Sequence, residues 1–575
     1  MGSVRARSKE AGSGEEGEHL TSSRFAATTS SSPLTSESRR RVPAWTWILF
    51  GAAALLTLTL LGLGYSSKTT ANYRHDSFIT VQGTQFLHKC RPFYIAGFNV
   101  DNLAEAMLAW SPSRAGAAGT AVGAAAIVNV LNQAAAAGLN TVRTWAHTTN
   151  PKQPFQVSPG AYDENAFQAL DLVIAEAEKK GLRVILSLVD NWKYEGGVDE
   201  FVDWAKTVPA RDKKYPVATG GDGDVNDMEW SEDRKQYEAL RKVLFFTDAG
   251  VKTLYRNHIR AILERVNTVS GKVYREDPTI MAFDLLNEPR CSVSYTPDCT
   301  KLVEQWVYEM ATHLKSLDQN HLVTIGAEGF WGVHDKMQIA NPGAAEGSDW
   351  AAKAGQDFVH HHNMPVVDFA TMHLWPDNWL TKNTSFVAEW IHKHIEDSTK
   401  VLKKPVLLEE FGKKLSAATS QAVASERDPG FRTVYEESEI STASGSALAG
   451  TLFWRWGFNA WDVTNVGEYG VTPEASTFRV VRGHAQRLKA FRNTAPALAT
   501  CTAECWVGTS ALGINRCEQQ PGVCLEHASA ASLAVRRDAQ AGRLQSAGVE
   551  AFGSHAECCL PGLGAFAEGC ATTVV

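Results

Sequence analysis

The sequence predicts an α/β protein built on a (β/α)8 TIM barrel, and three observations favour this fold. Short apolar runs rich in β-branched residues alternate with helical segments from about residue 77 to residue 493, as repeated βα units do. Eight such runs can be identified, the number that closes a barrel. Polar side chains collect where these runs end, which is where a barrel presents its functional groups. A doubly wound sheet is the alternative, but no Gly-rich phosphate loop follows the first run.

The eight predicted strands follow one another along the chain with helical segments between them. In the segment after the second strand, Phe167, Leu170, Ile174 and Ala177 recur at spacings of three and four, which indicates an amphipathic helix. The polar stretch from Asp212 to Lys235 is typical of a loop insertion. The predicted strands are Tyr94 to Phe98, Thr141 to Trp145, Arg183 to Val189, Met281 to Leu286, His321 to Ala327, Phe369 to His373, Pro405 to Glu410, and Thr451 to Trp454.

A membrane anchor is predicted before the barrel. Residues 1–43 are polar and are expected to be a disordered cytosolic tail. Residues 44–65 carry no charge, and at about 1.5 Å per residue they can cross a hydrocarbon core of roughly 30 Å. Arg39 to Arg41 precede this segment and place the N-terminus in the cytosol. A cleaved signal peptide is the alternative, but its charged region is usually much shorter. The pattern therefore predicts a single-pass type II membrane protein of the Golgi or cell surface, with release outside the cell as an alternative.

The last part of the chain is predicted to be a separate cysteine-rich module, at residues 496–575, after a barrel domain at residues 66–495. Seven of the ten cysteines lie there, which favours disulfides and an oxidising compartment. Zinc is the alternative, but paired Cys-x-x-Cys knuckles are missing from this stretch. The odd count leaves one thiol to pair with Cys90, to pair between chains, or to stay free. Both a binding module and a structural disulfide knot fit this composition.

The net charge of the chain and the residues at the ends of the predicted strands limit the classes of function that are expected. The net charge of -7 is spread along the chain without a long basic run, so a nucleic-acid partner is not expected. Hydrolysis of a glycosidic bond needs one carboxylic acid and a second carboxylate, and two glutamates end different predicted strands. Either glutamate alone could be a structural carboxylate, but the pair favours chemistry. The polar or aromatic residues at strand ends are Arg143, Asn191, Asn287, Glu288, Glu328, His373, Glu410 and Trp454.

Six motifs then occur in barrel order, and together they carry a resemblance to a known family. They are Thr-Val-Arg-Thr-Trp-Ala at 141–146, Leu-Ser-Leu-Val-Asp-Asn-Trp at 186–192, Glu-Asp-Pro-Thr-Ile-Met at 276–281, Asn-Glu-Pro-Arg-Cys at 287–291, Asp-Phe-Ala-Thr-Met-His at 368–373 with Pro376-Asp377, and Lys-Pro-Val-Leu-Leu-Glu-Glu-Phe-Gly at 404–412. Over about residues 78–490 the chain resembles the endo-β-1,4-mannanase branch of glycoside hydrolase family 5.

The resemblance implies a role for each motif residue and a retaining mechanism. Glu288 matches the acid/base and Glu410 the nucleophile, which forms a glycosyl-enzyme intermediate. Asn287 matches the residue that bonds the sugar 2-hydroxyl, and Arg143 the cation near the nucleophile. The other matches are an active-site hydrogen-bonding residue, His373, and a platform under the sugar, Trp454. The resemblance implies β-mannan as the substrate and neither a metal nor an organic cofactor.

Further positions are assigned by the same resemblance. Asn191, Trp192, Glu328 and Trp331 fall where family members line the groove, although packing of the loops explains them equally well. Trp375 stands where the family has tyrosine. An indole N–H only donates a hydrogen bond, whereas a tyrosine hydroxyl donates and accepts. The tuning of the nucleophile is therefore expected to differ.

Other expectations concern covalent features and alternative activities. Cys291 and Cys299 could close a small loop that steadies the acid/base through a disulfide. Asn383 begins an Asn-Thr-Ser glycosylation sequon. A family 5 β-glucanase or a transglycosylase is an alternative activity, because loops choose the sugar. A polysaccharide-binding protein that has lost catalysis is the second alternative; Trp375 is its only support.

Overall fold

The computed structural model describes residues 77–101, 103, 117–148, 154–192, 197–209, 232–379, 385–416, 419–457, 469–496, 507–509 and 515–517. The predicted cytosolic tail, the predicted anchor at 44–65 and Asn383 lie outside these residues, as does nearly all of the predicted C-terminal module. Within the described ranges, no helix combines the length and the apolar character needed to cross a membrane.

The strands in chain order are β1 (Ile79–Gln82), β2 (Gln85–His88), β3 (Arg91–Pro92), β4 (Ile95–Asn99), β5 (Thr141–Trp145), β6 (Gln156–Ser158), β7 (Ala161–Tyr162), β8 (Arg183–Ser187), β9 (Ile280–Asp284), β10 (Leu322–Thr324), β11 (Ala370–Leu374), β12 (Val406–Phe411), β13 (Leu448–Phe453), β14 (Val507–Thr509) and β15 (Asn515–Cys517).

The helices are α1 (Ala117–Ala137), α2 (Glu164–Lys180), α3 (Gly197–Trp204), α4 (Glu232–Thr247), α5 (Ala249–Glu264), α6 (Cys299–Leu317), α7 (Phe358–His362), α8 (Phe386–Asp397), α9 (Ser420–Ala422), α10 (Asp428–Ser444) and α11 (Ser476–Thr494). Wider π-type turns at Ser398–Leu402 and Val423–Arg427 follow α8 and α9.

Eight parallel strands form the central sheet, in the order β10-β9-β8-β5-β4-β13-β12-β11. The segments of its two edge strands, β10 and β11, are connected by two isolated backbone hydrogen bonds. The Asp368 N–H donates to the Val323 carbonyl at 2.8 Å, and the His373 N–H to the Glu328 carbonyl at 3.0 Å. The sheet is therefore a nearly closed barrel, and the predicted fold is confirmed for this domain.

All eight predicted strands are present, but four end earlier than the apolar pattern indicates. The third stops at Ser187, the fourth at Asp284, the fifth at Thr324 and the eighth at Phe453. After β10 the chain turns at Gly326, whose φ is +86°. A side chain there would lie 2.6 Å from the Leu286 carbonyl oxygen, so only glycine fits. These early ends free the following residues to form the loops that carry the site.

Helix α2 shows why the local pattern predicted helices well. Asp163 caps its start by accepting a hydrogen bond from the Asn165 N–H, and Gly181 ends it with a φ of 72°. Its buried face includes the predicted apolar residues Phe167 and Leu170. Packing of such faces against the strands forms the outer core of the barrel.

The two ends of the barrel interior differ in chemistry. A separate cluster of buried apolar residues includes Ile95, Ile185 and Leu407, and it also contains Phe86 from the antiparallel β1-β2-β3 sheet. Buried charged residues collect instead around the C-terminal ends of the strands. Apolar side chains thus fill one end of the barrel interior, and the functional groups lie at the other end.

Candidate active site

Glu288 and Glu410, the two glutamates singled out from the sequence, meet at the C-terminal end of the barrel. Glu410 belongs to β12, and Glu288 lies in the turn that follows β9. That turn holds Glu288 at a φ of 51°, and the Glu288 N–H donates to the Gly326 carbonyl at 2.8 Å. Both carboxyl groups are buried.

His373 lies between the two glutamates. Its Nδ1 is 2.8 Å from Oε1 of Glu288 and 3.5 Å from Oε2 of Glu410. One ligand-type atom from each of the three side chains lies within 4.8 Å of the other two. A retaining pair is expected at about 5 to 5.5 Å, and an inverting pair at up to about 9.5 Å so that water fits between. The short separation favours a retaining pair.

Arg143, from β5, is fully buried and binds the nucleophile candidate. Its Nη1 donates to Oε1 of Glu410 at 2.5 Å and to Oδ1 of Asn99 at 3.2 Å. Its Nη2 donates to Oδ2 of Asp284 at 2.5 Å and to Oδ1 of Asn287 at 2.9 Å. Because all these bonds come from one planar guanidinium, Arg143 fixes the relative positions of the side chains from three strands and the acid/base loop.

The side-chain amide of Asn287 is held from two sides. Its oxygen accepts from Arg143, and its nitrogen donates to Oδ1 of Asp190 at 3.0 Å. Burial raises the pKa of Asp190 to about 7. The two partners define which end of the amide carries the oxygen, so the orientation of Asn287 is fixed before any ligand binds.

Glu288 receives a second hydrogen bond from the loop after β8. The indole Nε1 of Trp192 donates to Oε2 of Glu288 at 2.7 Å. Arg290 places its guanidinium 5.1 Å from the centroid of the Trp192 ring, a cation–π contact. Each oxygen of Glu288 therefore has its own partner, His373 on one and Trp192 on the other.

The pKa values of the two glutamates do not follow the order expected from the implied roles, in which Glu288 is the protonated acid and Glu410 the ionised nucleophile. Burial alone raises the pKa of Glu288, but the hydrogen bond and charge of His373 lower it overall. Burial raises the pKa of Glu410 to about 8, against the charges of His373 and Arg143. Burial alone lowers the pKa of His373, but Glu410, Glu288 and Glu409 raise it to about 10. In the protein alone, the proton is thus held better by Glu410 than by Glu288, whereas the sequence suggested the reverse.

The same three side chains are the one group in the described residues that could hold a metal ion. Their chemistry fits proton sharing better than coordination. A histidine ligand must be neutral, and the surrounding carboxylates keep His373 protonated by raising its pKa to about 10. Its Nδ1 is moreover already engaged with Glu288.

Aromatic rings pack together at the ends of β11 and β13. Trp454 follows β13, is partly exposed, and lies 6.0 Å from both the Trp145 and Trp375 rings, measured between centroids. Trp375 is buried and also contacts Tyr469 edge-on, at 5.1 Å. The exposure of Trp454 fits a platform for a sugar ring, whereas Trp375 packs behind it.

Two of the residues predicted to line the groove are placed elsewhere. Trp331 is fully buried among aromatic rings, and its Nε1 donates to Asp397 at 2.8 Å, so it packs the loop and the groove assignment is corrected. Glu328 is also buried, and its carboxylate binds Arg290 and accepts from Gln356 at 2.8 Å. It therefore holds Arg290 rather than facing a ligand.

The other groove residues lie near the glutamates. Trp192 is bonded to Glu288, as described above. The side-chain amide atoms of Asn191 are buried and have no hydrogen-bond partner within the described part of the chain. Cys291 and Cys299 form the predicted disulfide, with their Cα atoms 5.6 Å apart, and it links the acid/base loop to the start of α6.

Sequence reasoning missed several buried groups of the site. Asp284 and Asp190 orient Arg143 and Asn287, and Glu409 lies 3.5 Å from Nε of Arg143. Burial raises the pKa of Asp284 to about 7. A signal was available for Asp284, because a carboxylate inside an otherwise apolar strand needs a buried partner.

Comparison with known proteins agrees with this geometry. Residues 76–470 match the model of a family described as glycoside hydrolase family 5, β-mannosidase-like. Mannan endo-1,4-beta-mannosidase 1 of Oryza sativa is 35% identical over 448 residues, which cover 76% of this chain and 91% of that protein. Mannan endo-1,4-beta-mannosidase 7 of Arabidopsis thaliana is 35% identical, with coverage of 72% and 86%.

Solved structures show the same fold. An endo-1,4-beta-mannanase from Rhizomucor miehei superposes with a TM-score of 0.54 at 23% identity, over 72% of this chain and 99% of that one. An endo-1,4-beta-D-mannanase from Thermotoga petrophila gives a TM-score of 0.51 at 26% identity, over 68% and 99%. The family model spans all eight strands of the central sheet and both glutamates, so this chain belongs to glycoside hydrolase family 5, in its β-mannosidase-like group.

Proposed function

We propose that this protein is a retaining endo-β-1,4-mannanase that hydrolyses internal β-1,4-mannosidic bonds in mannan, glucomannan or galactomannan. The observation that carries the proposal is the pair of buried glutamates that share His373 at the mouth of a family 5 barrel. The plant relatives named as mannan endo-1,4-beta-mannosidases support mannan as the substrate.

In the proposed reaction, Glu410 attacks the anomeric carbon while Glu288 protonates the departing oxygen. Arg143 holds Oε1 of Glu410, and the attacking atom is then Oε2, which lies 3.5 Å from Nδ1 of His373. Water then hydrolyses the glycosyl-enzyme, with Glu288 acting as the base, so that two inversions give net retention. Asn287, fixed between Arg143 and Asp190, is placed to bond the 2-hydroxyl as the charge develops.

Substrate binding would favour the protonation states that catalysis requires, with Glu288 protonated and Glu410 ionised. A sugar over Glu288 removes its remaining 7% exposure, which favours the protonated acid. Positive charge that develops at the anomeric carbon favours the ionised form of Glu410. Because His373 contacts both carboxyl groups, it can stabilise either arrangement of the proton.

The substrate is tested with a panel of polysaccharides and the purified lumenal part of the chain. The proposal expects reducing ends from mannan, glucomannan and galactomannan, and mass spectrometry in heavy-oxygen water should show one labelled oxygen per cut at the new reducing end. Reducing ends from carboxymethylcellulose with none from mannan would instead identify a β-glucanase. Products longer than the starting oligosaccharide, with little label, would identify a transglycosylase.

The location of the enzyme is a separate proposal. The barrel is proposed to work in the Golgi or outside the cell, tethered by residues 44–65, with residues 1–43 in the cytosol. The Cys291–Cys299 disulfide supports an oxidising compartment. A binding role is proposed for residues 496–575, and glycosylation for Asn383. The topology is tested by adding a protease to intact vesicles: the barrel should be protected, and a barrel that is digested contradicts the proposal. Loss of mass after removal of N-glycans tests the glycosylation.

Replacing Trp375 with tyrosine is expected to keep or raise activity. Burial raises the pKa of Glu410 to about 8, and a hydroxyl that donates to its carboxylate would favour the ionised nucleophile. The measurement is kcat on mannan for Trp375→Tyr, with Trp375→Phe as the control that lacks the hydroxyl. A complete loss of activity in Trp375→Tyr would show that the indole itself has a role.

Replacing His373 with asparagine is expected to move both limbs of the pH profile of kcat/KM to higher pH. The His373 cation lowers the pKa of Glu288 and of Glu410, so its removal raises both. The two limbs report the two apparent pKa values of the coupled glutamate pair in the free enzyme, so a rise in both values moves both limbs in the same direction. The rate should also fall, by about 100-fold.

His394→Asn is the control, because burial lowers the pKa of His394 to about 4 and its ring is neutral in this range. Limbs that move to lower pH would contradict the assignment.

A further inference from the structure

Lys242 is a buried lysine on helix α4 that reaches the loop of the candidate active site. Its side chain is 8% exposed, and its Nζ donates to the backbone carbonyl of Asn191. Burial lowers its pKa, so the ammonium is held there at a cost in solvation. Lysine is seldom buried without a specific partner, and the main partner here is a peptide carbonyl.

The carbonyl belongs to a tightly constrained turn. The Asn191 N–H donates to the Asn287 carbonyl at 3.1 Å, and the Trp192 N–H donates to Oδ1 of Asp190 at 3.2 Å. Gly197 closes the turn with a φ of 51°, and a side chain there would lie 2.6 Å from the Trp192 carbonyl oxygen. Lys242 therefore holds the peptide group directly before Trp192.

Trp192 transmits this position to Glu288. Its indole Nε1 donates to Oε2 of Glu288 at 2.7 Å. The hydrogen bond is one of the interactions that lower the pKa of Glu288. A contiguous set of hydrogen bonds thus runs from a helix on the outside of the barrel, through Asn191 and Trp192, to the proposed acid/base.

The charges around Lys242 do not explain its placement by themselves. Asp199 lies 3.8 Å from Nζ but already binds Arg241 at 2.6 Å. The other charges that face the lysine are Glu238, Asp190 from the site itself and, with the same sign as the lysine, Arg241. Burial raises the pKa of Glu238 to about 8, against the charges of Lys242 and Arg241.

We propose that Lys242 is a positioning residue for the acid/base: by binding the Asn191 carbonyl it holds the indole N–H of Trp192 on Glu288. This inference depends on the proposed role of Glu288. It also gives α4, whose first turn overlaps the predicted insertion at 212–235, a part in catalysis from outside the barrel.

The test is a double-mutant cycle of Lys242→Met and Trp192→Phe on mannan. Each single variant should lower kcat about tenfold, the effect of losing one well-placed hydrogen bond, with KM changed less than about twofold. Each should also move the acid limb of the kcat/KM profile to higher pH, because Glu288, whose pKa is the lower of the pair in the protein alone, loses a donor that lowers it. The double variant should lose little more than either single one.

Controls separate positioning from simple packing. Lys242→Gln keeps a donor without the charge and should recover part of kcat. Lys252→Met, on neighbouring α5 and paired with Glu309, should leave kcat and the pH profile unchanged. Losses that add fully in the cycle, or a lower melting temperature with unmoved pH limbs, would overturn the inference. If Lys242→Met does not fold, Lys242→Gln enters the cycle and the same criterion applies. Wild-type activity in Glu288→Ala would instead overturn the proposed function.

Discussion

Glu410→Ala is expected to lower kcat on mannan by about four orders of magnitude or more, and added azide should restore turnover with inverted configuration. The substitution removes the atom that bonds the anomeric carbon. Azide can enter the space left by the carboxylate and attack from that face, so a single inversion converts a β-linked aryl mannoside into an α-mannosyl azide.

Glu288→Ala provides the matched comparison. Here Glu410 still forms the glycosyl-enzyme from an aryl mannoside, whose leaving group needs little protonation. Azide then attacks that intermediate, and two inversions give a β-mannosyl azide. Nuclear magnetic resonance of the two products assigns the two roles. A β product from Glu410→Ala, or an α product from Glu288→Ala, would show that the roles are exchanged.

Both variants should remain folded, which makes the comparison clean. Glu410 is a buried carboxyl group whose pKa burial raises to about 8, so its removal relieves a desolvation cost in the folded state. Equal melting temperatures of wild type and variants would confirm that the loss of turnover is chemical.

The barrel was predictable from the sequence because its signals are local. The run from Thr141 to Trp145 is a strand in both the prediction and the structure, and the apolar spacing of α2 depends on neighbours three and four residues away. The convergence of Glu288 and Glu410 followed from topology, since parallel strands in a barrel bring their C-terminal ends together.

What the sequence could not show depends on contacts between distant residues. Glu328 resembles a free carboxylate until Arg290 and Gln356, 38 and 28 positions away, are seen to bind it. An indole such as Trp331 has the same sequence signal whether it faces a groove or the core. Lys242, 51 positions from Asn191, has no local pattern that distinguishes it from a surface lysine.

The proton order of the two glutamates was unpredictable for a related reason. It depends on the balance between burial, which raises both pKa values, and the distances to a few charges. His373 is 2.8 Å from Glu288 but 3.5 Å from Glu410, a difference that comes only from the folded geometry. The sequence identified Arg143 as the cation of the nucleophile, yet burial outweighs its effect on the pKa of Glu410.

Arg143→Met is expected to remove nearly all activity and to destabilise the fold by about 3 to 5 kcal/mol near neutral pH, because it leaves buried carboxylates without their cation. Arg143 binds both Glu410 and Asp284 at 2.5 Å. The activity should fall by at least about 100-fold, since the nucleophile loses the donor that orients it.

The destabilisation should depend on pH with a definite sign. Burial raises the folded-state pKa of Asp284 to about 7 and that of Glu410 to about 8, well above their ordinary values near 4. Between about pH 4 and pH 8 the folded state binds more protons than the unfolded state. The stability that these two carboxyl groups contribute is therefore complete at low pH and is lost as the pH rises through 7 to 8. Removal of the Arg143 charge raises both pKa values further. The variant should therefore be closer to wild type at pH 5 than at pH 8, as measured by urea unfolding at the two values.

Two comparisons make the Arg143 prediction specific. Arg265→Met removes another arginine with two acidic partners, Asp171 and Glu164, but on the outside of the barrel, and should cost stability without changing kcat. Arg143→Lys keeps the charge but not the planar fork, so it should recover stability more than activity. If Arg143→Lys were fully active, a positive charge alone would suffice beside Glu410. The fixed geometry of the guanidinium, which binds Glu410, Asp284 and Asn287 together, would then have no part in catalysis.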